Sequence, residues 1–254
     1  MRSVHNTLRV FEVIANRQPV GLADVARRVP LPTTTAHRAI STLVDAGWVE
    51  PARDGTKRFE VAAHVIGLVN HGEHPLRSVA APVCIELRDR CGESVTLAAP
   101  DGDEVVVIGH WEGTGVLRVI QAVGTRAPLA VASTGRAFLA HTDEQTRAAV
   151  IGSASTAFTD ATTTDPAALA EEIELVRRRG WAVVDREWMD GVTQIGAAIL
   201  RAGVPVGGVG IALPASRFDA EVGDRLGAQV RAAADAIAAR LPIAPVAAGP
   251  RSAR

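Results

Sequence analysis

TTTAHRAIS, residues 33–41 of this 254-residue chain, sets three threonines, a histidine, an arginine and a serine at the start of a candidate helix. From Ala36 onward, Ala36, Ala39, Ile40, Leu43 and Val44 recur at helical spacing and predict one buried stripe. At about 100° per residue, Thr34, Arg38, Ser41 and Asp45 point directly away from that stripe, with Thr35, His37 and Thr42 on its flanks. Hydroxyl residues cost about a few tenths of a kcal/mol each in helicity. In return they let a helix end come close to a phosphate or a base edge, and the free N–H groups of a first turn favour an anion there. Capping accounts for one threonine and leaves His37 and Arg38 unexplained. Thr33, Thr34, Thr35, His37, Arg38 and Ser41 are therefore candidate contacts to a DNA major groove.

Other groupings carry less. Cys84 and Cys91 lie seven apart on an apolar face, and His71 and His74 complete no metal-ligand spacing with them, so the thiols read as small core residues and no metal site is expected. Gly207-Gly208-Val209-Gly210 falls inside a strand pattern without a following Lys-Ser/Thr, which reads as close packing and not a phosphate loop. Arg177, Arg178 and Arg179 close a helix, where cations suit the dipole. Trp111, Trp181 and Trp188 read as core by default, with lining of a pocket as the alternative. No serine-hydrolase, zinc-protease or paired-carboxylate motif occurs, so neither a catalytic residue nor a cofactor is expected.

Composition sets the frame. Hydrophobic residues make up 47% and charged residues 22%, enough apolar material for a buried core. No apolar run approaches the ~18 residues of a membrane span, and no signal-peptide pattern opens the chain, so a cytoplasmic protein without a membrane partner is expected. The net charge of −1 hides an asymmetry. Residues 1–64 hold nine Lys+Arg against six Asp+Glu, and the remainder 18 against 22. A basic segment joined to an acidic one suggests two domains with different partners.

The elements that must position the threonine cluster follow from periodicity. A helix is expected over Val4–Asn16 and a second over Leu22–Val29, with Pro30 and Pro32 in the turn before the third. Gly47 ends that third helix. WVEPARDGTKRFEV then reads as a hairpin, with strands Trp48–Pro51 and Arg58–Val61 around Asp54-Gly55. Arg53, Lys57 and Arg58 sit at its tip, placed to hold flanking phosphates. Residues 1–61 thus predict a winged helix-turn-helix, followed by a connector at 62–77.

Residues 78–241 predict an α+β domain with a mainly antiparallel sheet. Its strands are Ser94–Ala99, Glu104–Trp111, Val116–Ala122, Trp181–Asp185, Thr193–Leu200 and Gly207–Leu213. Its helices are Thr134–His141, Asp143–Ile151, Pro166–Arg179 and Asp219–Leu241. Residues 242–254 are expected to form a disordered tail.

GLADVARRVPLPTTTAHRAISTLVDAGWVEPARDGTKRFEV resembles the DNA-binding domain of the IclR family of bacterial transcriptional regulators. That family's pattern L-P-x-S/T-T-x-H/Y-R-L-L-x-x-L is met by Leu31, Pro32, Thr34, Thr35, His37, Arg38 and Leu43. Thr33 stands where the family commonly has a larger polar residue, and the wing closes on Phe59-Glu60-Val61-Ala62 in place of Tyr-x-Leu-Gly. VLRVIQAVGTRAPLAVASTGRAFLA, ELVRRRGWAVVDREWMDGVTQIGAAIL and GGVGIALPASRF resemble further family segments in the same order, so the likeness spans residues 4 to 241.

The resemblance implies a GAF-like C-terminal domain that binds a small effector and oligomerises. It further implies a homodimer or homotetramer on double-stranded DNA at a palindromic operator, with effector binding altering the separation of the DNA-binding domains. Several polar pocket positions of the family are lost. Ala130 and Ala132 replace a histidine and a threonine, Gln194 a cysteine, Val184 an aspartate, and Gly210 and Ala212 two serines. The expected pocket is then Val119, Val184, Val192, Gly210 and Ala212, with Ser133, Thr134 and Gln194 as polar points and Arg118 as a charge if it faces inward. A carboxylate desolvated there without partners loses several kcal/mol, on the order of a buried unpaired ion. A larger or less polar effector than an organic acid is expected. The alternatives are a GAF-like enzyme using a reactive cysteine, and a DNA-binding regulator with no small-molecule input.

Overall fold

The computed structural model describes residues 2–65 and 74–242. The chain divides into two compact units, Met1–Glu73 and His74–Arg254. Most of the expected connector, at 66–73, and the expected tail from 243 lie outside the described residues.

The first unit holds α1 (Arg2–Arg17), β1 (Val20–Gly21), α2 (Leu22–Arg28), α3 (Thr33–Asp45), β2 (Val49–Pro51) and β3 (Arg58–Val61). The strands form an antiparallel sheet in the order β1-β3-β2, with Val49 opposite Val61 and Pro51 opposite Phe59. Val10 and Ile14 of α1, Val25 of α2 and Ile40 and Leu43 of α3 close one core. The N-cap of α3 is Pro32, and no side chain caps the helix, so the three threonines are not occupied in starting it. Gly47 ends the turn after α3 at φ +73°, a left-handed conformation that suits glycine.

The second unit holds α4 (Pro75–Cys91), β4 (Ser94–Asp101), β5 (Glu104–Trp111), β6 (Arg126–Pro128), α5 (Ser133–Leu139), α6 (Glu144–Ser153), α7 (Pro166–Arg179), β7 (Ala182–Asp185), β8 (Val192–Arg201), β9 (Val204–Pro214) and α8 (Ala220–Arg240). Its sheet runs β6-β5-β4-β9-β8-β7, antiparallel at every pairing, which is the α+β arrangement the sequence predicts. One core joins α4 and α8 to the sheet through Leu87, Leu97, Ile211 and Val230. A second joins β6, α5, α6 and α7 through Ala127, Leu139, Val150 and Ile173.

One expected strand is absent. Val116–Ala122 is an irregular strap, and the edge of β5 is taken by β6 instead, from Glu104–Pro128 to Val106–Arg126. The alternation is real but reports burial, not pairing. Val119 and Gln121 face inward while Val116, Leu117 and Ile120 stand exposed. Arg217 holds one end through the Leu117 carbonyl at 2.7 Å, and Val107 holds the other through Gly124 and Thr125.

The glycines of β8 and β9 are contact points for α5. A Cβ on Gly196 would lie 2.7 Å from the backbone of Ser133 and Thr134, and one on Gly208 would lie 2.8 Å from the Thr134 Cβ. The Gly207–Gly210 run is therefore close helix–sheet packing. Gly196→Ala should push α5 outward and cost about 1–3 kcal/mol, measured as a fall in the urea midpoint of the full chain. An unchanged midpoint would show that α5 yields freely.

Candidate DNA-binding face and ligand cavity

On α3, Thr33, Thr34, His37 and Arg38 are exposed, and Thr35 and Ser41 are half-buried. Neither His37 nor Arg38 has an ion-pair partner among the described residues. Arg53 and Arg58 pair with Glu50 at 3.2 Å and Asp54 at 2.8 Å, while Lys57 pairs with nothing described. Both pairs are exposed, hence weak and exchangeable for phosphate oxygens. A groove of 760 Å³ runs between α1 and α3, lined by Ser3, Asn6 and Thr7 on one side and Thr35, Arg38 and Thr42 on the other. The α1 contribution was missed by sequence reasoning, although Ser3, Asn6 and Thr7 share a helix face.

In the second unit a narrow cavity, with free room for about one water molecule, opens between α5 and the β4–β5 side of the sheet. Its polar lining is Thr96, Gln121, Thr125, Ser133, Thr134 and Gln194, and its apolar lining includes Val105, Val107, Ile211, Ala212 and Trp188. Among the described residues no charged side chain lines it. Thr96 donates a long 3.5 Å bond to the Gly210 carbonyl, and the other five polar side chains have no hydrogen-bond partner among the described residues. The space is narrow, so a ligand of more than a few heavy atoms must displace side chains.

Of the eight expected lining residues, Ser133, Thr134, Gln194 and Ala212 meet at this cavity. Val119, Val184 and Val192 do not line it. The glycines of β8 and β9 draw α5 onto that half of the sheet, which moves the free space toward β4 and β5. Val184 on the edge strand β7 and Val192 at the start of β8 are left outside it. Val119 is buried beneath the strap, where Gln121, two residues on, reaches the cavity instead. Gly210 is screened by Thr134 Cγ2 and Thr96 Oγ1, each 3.2 Å from where its Cβ would be. Arg118 turns to Glu112 at 2.8 Å and supplies no charge to the lining.

Sequence reasoning missed Thr96, Thr125 and Gln121, and Trp188 takes the pocket-lining alternative instead of the core. Thr96 pairs across the ladder with His110, whose ring nitrogens are both buried without a partner. Burial pushes the His110 pKa down, against the opposing pull of Glu112.

A buried ion pair fixes the cavity wall. Arg136 of α5 is 1% exposed and meets Glu187 through two bonds, at 2.9 and 2.5 Å. It also bonds the Ala130 carbonyl at 2.7 Å and the half-exposed Glu172 carboxylate. The backbone and carboxylate of Glu187 take bonds from Thr159, Thr162 and Thr163. One guanidinium thus locks the residues beside Ser133 to the residue beside Trp188.

The thiols offer no nucleophile. Burial pushes Cys84 up to about 12 and raises Cys91, leaving both protonated at neutral pH. Among the described residues no group of three or more metal-ligating side chains gathers, and no helix is long and apolar enough to cross a membrane.

Comparison with known proteins agrees with this architecture. The IclR helix-turn-helix domain matches residues 3–53, and the domain described as bacterial transcriptional regulator IclR C-terminal matches residues 70–239. The glycerol operon regulatory protein of Streptomyces coelicolor is 30% identical, covering 93% of this chain and 95% of its own. The transcriptional repressor IclR of Escherichia coli is 27% identical over 92% of this chain and 88% of its own. A crystal structure of an IclR homolog complexed with 4-hydroxybenzoate, from Microbacterium hydrocarbonoxydans, shares the fold at TM-score 0.79 and 24% identity, covering 94% of this chain and 98% of that one. The Streptomyces and Escherichia relatives are regulators, and the exposed, uncapped threonine helix lies within the residues matched to the helix-turn-helix domain. The chain is a DNA-binding transcriptional regulator and belongs to the IclR family.

Proposed function

We propose that this regulator acts in the cytoplasm as a homodimer on a palindromic operator, and that a small uncharged molecule, opening the narrow cavity between α5 and the sheet, sets its DNA affinity. Arg38, His37 and Thr34 would meet base edges, and Arg53, Lys57 and Arg58 the flanking phosphates. The observation that carries the ligand reading is the lining itself: five polar side chains without partners and no charge. Unpaired amides and hydroxyls reward a ligand that supplies donors and acceptors, whereas a carboxylate would lose its hydration with no cation to replace it. The Microbacterium relative holds an aromatic acid. For this chain the fitting class is a small phenol, alcohol or amide.

A thermal-shift screen of neutral phenols, alcohols and amides against matched carboxylates tests this. A neutral ligand at about 100 times its Kd should add about 2.7 kcal/mol, and Gln194→Leu should weaken it about tenfold. Carboxylates dominating the hits, with no effect of Gln194→Leu, would overturn the assignment. The narrowness of the cavity favours one second reading, a regulator with no small-molecule input. An empty screen from protein that still binds palindromic DNA would support it.

A further inference from the structure

A second, roomier cleft lies in the same domain on the other side of the Pro128–Val131 segment. Its floor is apolar, from Ala130, Val131 and Val150, all buried, with Pro128 and a partly exposed Phe158 at the sides. Ser153 and Thr156 bring hydroxyls to the rim. Two negative features face it. One is the Asp103 carboxylate, exposed and without an ion pair among the described residues, although its neighbours Asp101 and Glu104 both pair with Arg126. The other is the C-terminal end of α6, at Val150 and Ser153, whose last turn carries no basic residue. Its carbonyls are partly taken up, Val150 by the Ser153 hydroxyl at 3.0 Å and Ile151 by the Ala154 amide at 3.2 Å, while the negative end of the helix dipole has no basic residue in that turn. Among the described residues no cation lines the cleft.

We propose that this cleft is a second small-molecule site, and that it takes a primary amine with an apolar, aromatic-sized body. The body covers Ala130, Val131 and Phe158, and the ammonium reaches Asp103 and the carbonyl end of α6. Apolar burial provides the affinity, and the two negative features select the charge. The inference does not rest on the first cavity being an effector site. It is linked to the segments beside that cavity: Arg136 bonds the carbonyl of Ala130, which lines the second cleft, and Glu187 accepts from the amide of Thr163, which lines it too.

The test is calorimetric titration of the full chain with 2-phenylethylamine, 2-phenylethanol and 3-phenylpropanoate. The amine should bind tightest, with the alcohol weaker by about fivefold, the scale of an exposed charge contact, and the carboxylate weaker again. Asp103→Asn should bring the amine close to the alcohol and leave the alcohol unchanged. Ser153→Trp, at an exposed rim position, should fill the cleft and abolish both while the melting temperature stays near wild type. Gln194→Leu, in the first cavity, should alter neither. Absent amine binding, equal affinity for amine and carboxylate, indifference to Asp103→Asn, or amine binding lost in Gln194→Leu would each overturn the proposal.

Discussion

Replacing Arg136 with alanine should lower the stability of the chain by about 3–5 kcal/mol, the largest single-residue effect expected here. The guanidinium is wholly buried and satisfies Glu187, itself only 6% exposed. Removing it strands a carboxylate in a dry environment and frees the Ala130 carbonyl as well. Breaking one partner is costly for that reason, whereas the paired apolar replacement Arg136→Met with Glu187→Leu should recover most of the loss. Urea denaturation of the two variants distinguishes the cases. A single-variant loss below about 1 kcal/mol would mean that water reaches the pair. A second consequence is local: with the pair gone, Ser133 and Trp188 lose their common anchor, so ligand affinity should fall even where the protein remains folded.

The second large effect is on DNA. Arg38→Ala should cost about 1–3 kcal/mol at each half-site and relax base preference there, hence about twice that for a dimer engaging both halves. Lys57→Ala should weaken all sequences alike and reduce the salt slope by about one per half-site. Fluorescence anisotropy with operator and scrambled DNA, at several salt concentrations, separates the two behaviours. Operator binding that ignores Arg38→Ala would relocate the recognition face, with the Ser3, Asn6 and Thr7 side of the α1–α3 groove as the next place to look.

How legible this was in the sequence depended on what kind of signal each part left. The winged helix is local: its stripe from Ala36 to Val44, its Gly47 stop and its Asp54-Gly55 turn each follow from a few neighbouring residues. In the second domain β5 and β7 alternate, whereas β4, β8 and β9 are legible as short apolar runs buried on both faces. The cavity is not local. Its position depends on how far α5 sinks onto the sheet, and that is set by the absence of side chains at Gly196 and Gly208, which no periodicity registers. Val184 and Val192 were assigned to a pocket that α5 moved away from them. Thr96 and Gln121 looked like ordinary alternating residues until distant segments met around them. Arg136 was unreadable too, since its partner lies 51 residues away.

The uncharged lining also says which outside variables each half of the molecule can register. A DNA face built, as proposed, on Arg38, Arg53, Lys57 and Arg58 would release counterions on binding, so its grip would weaken steeply with ionic strength. In the proposed reading, a cavity lined by amides and hydroxyls has no charge to screen. Ionic strength would therefore act on the operator contact and leave ligand binding unaltered, so that a titration of ligand at fixed salt and a titration of salt at fixed ligand interrogate separate halves of one chain.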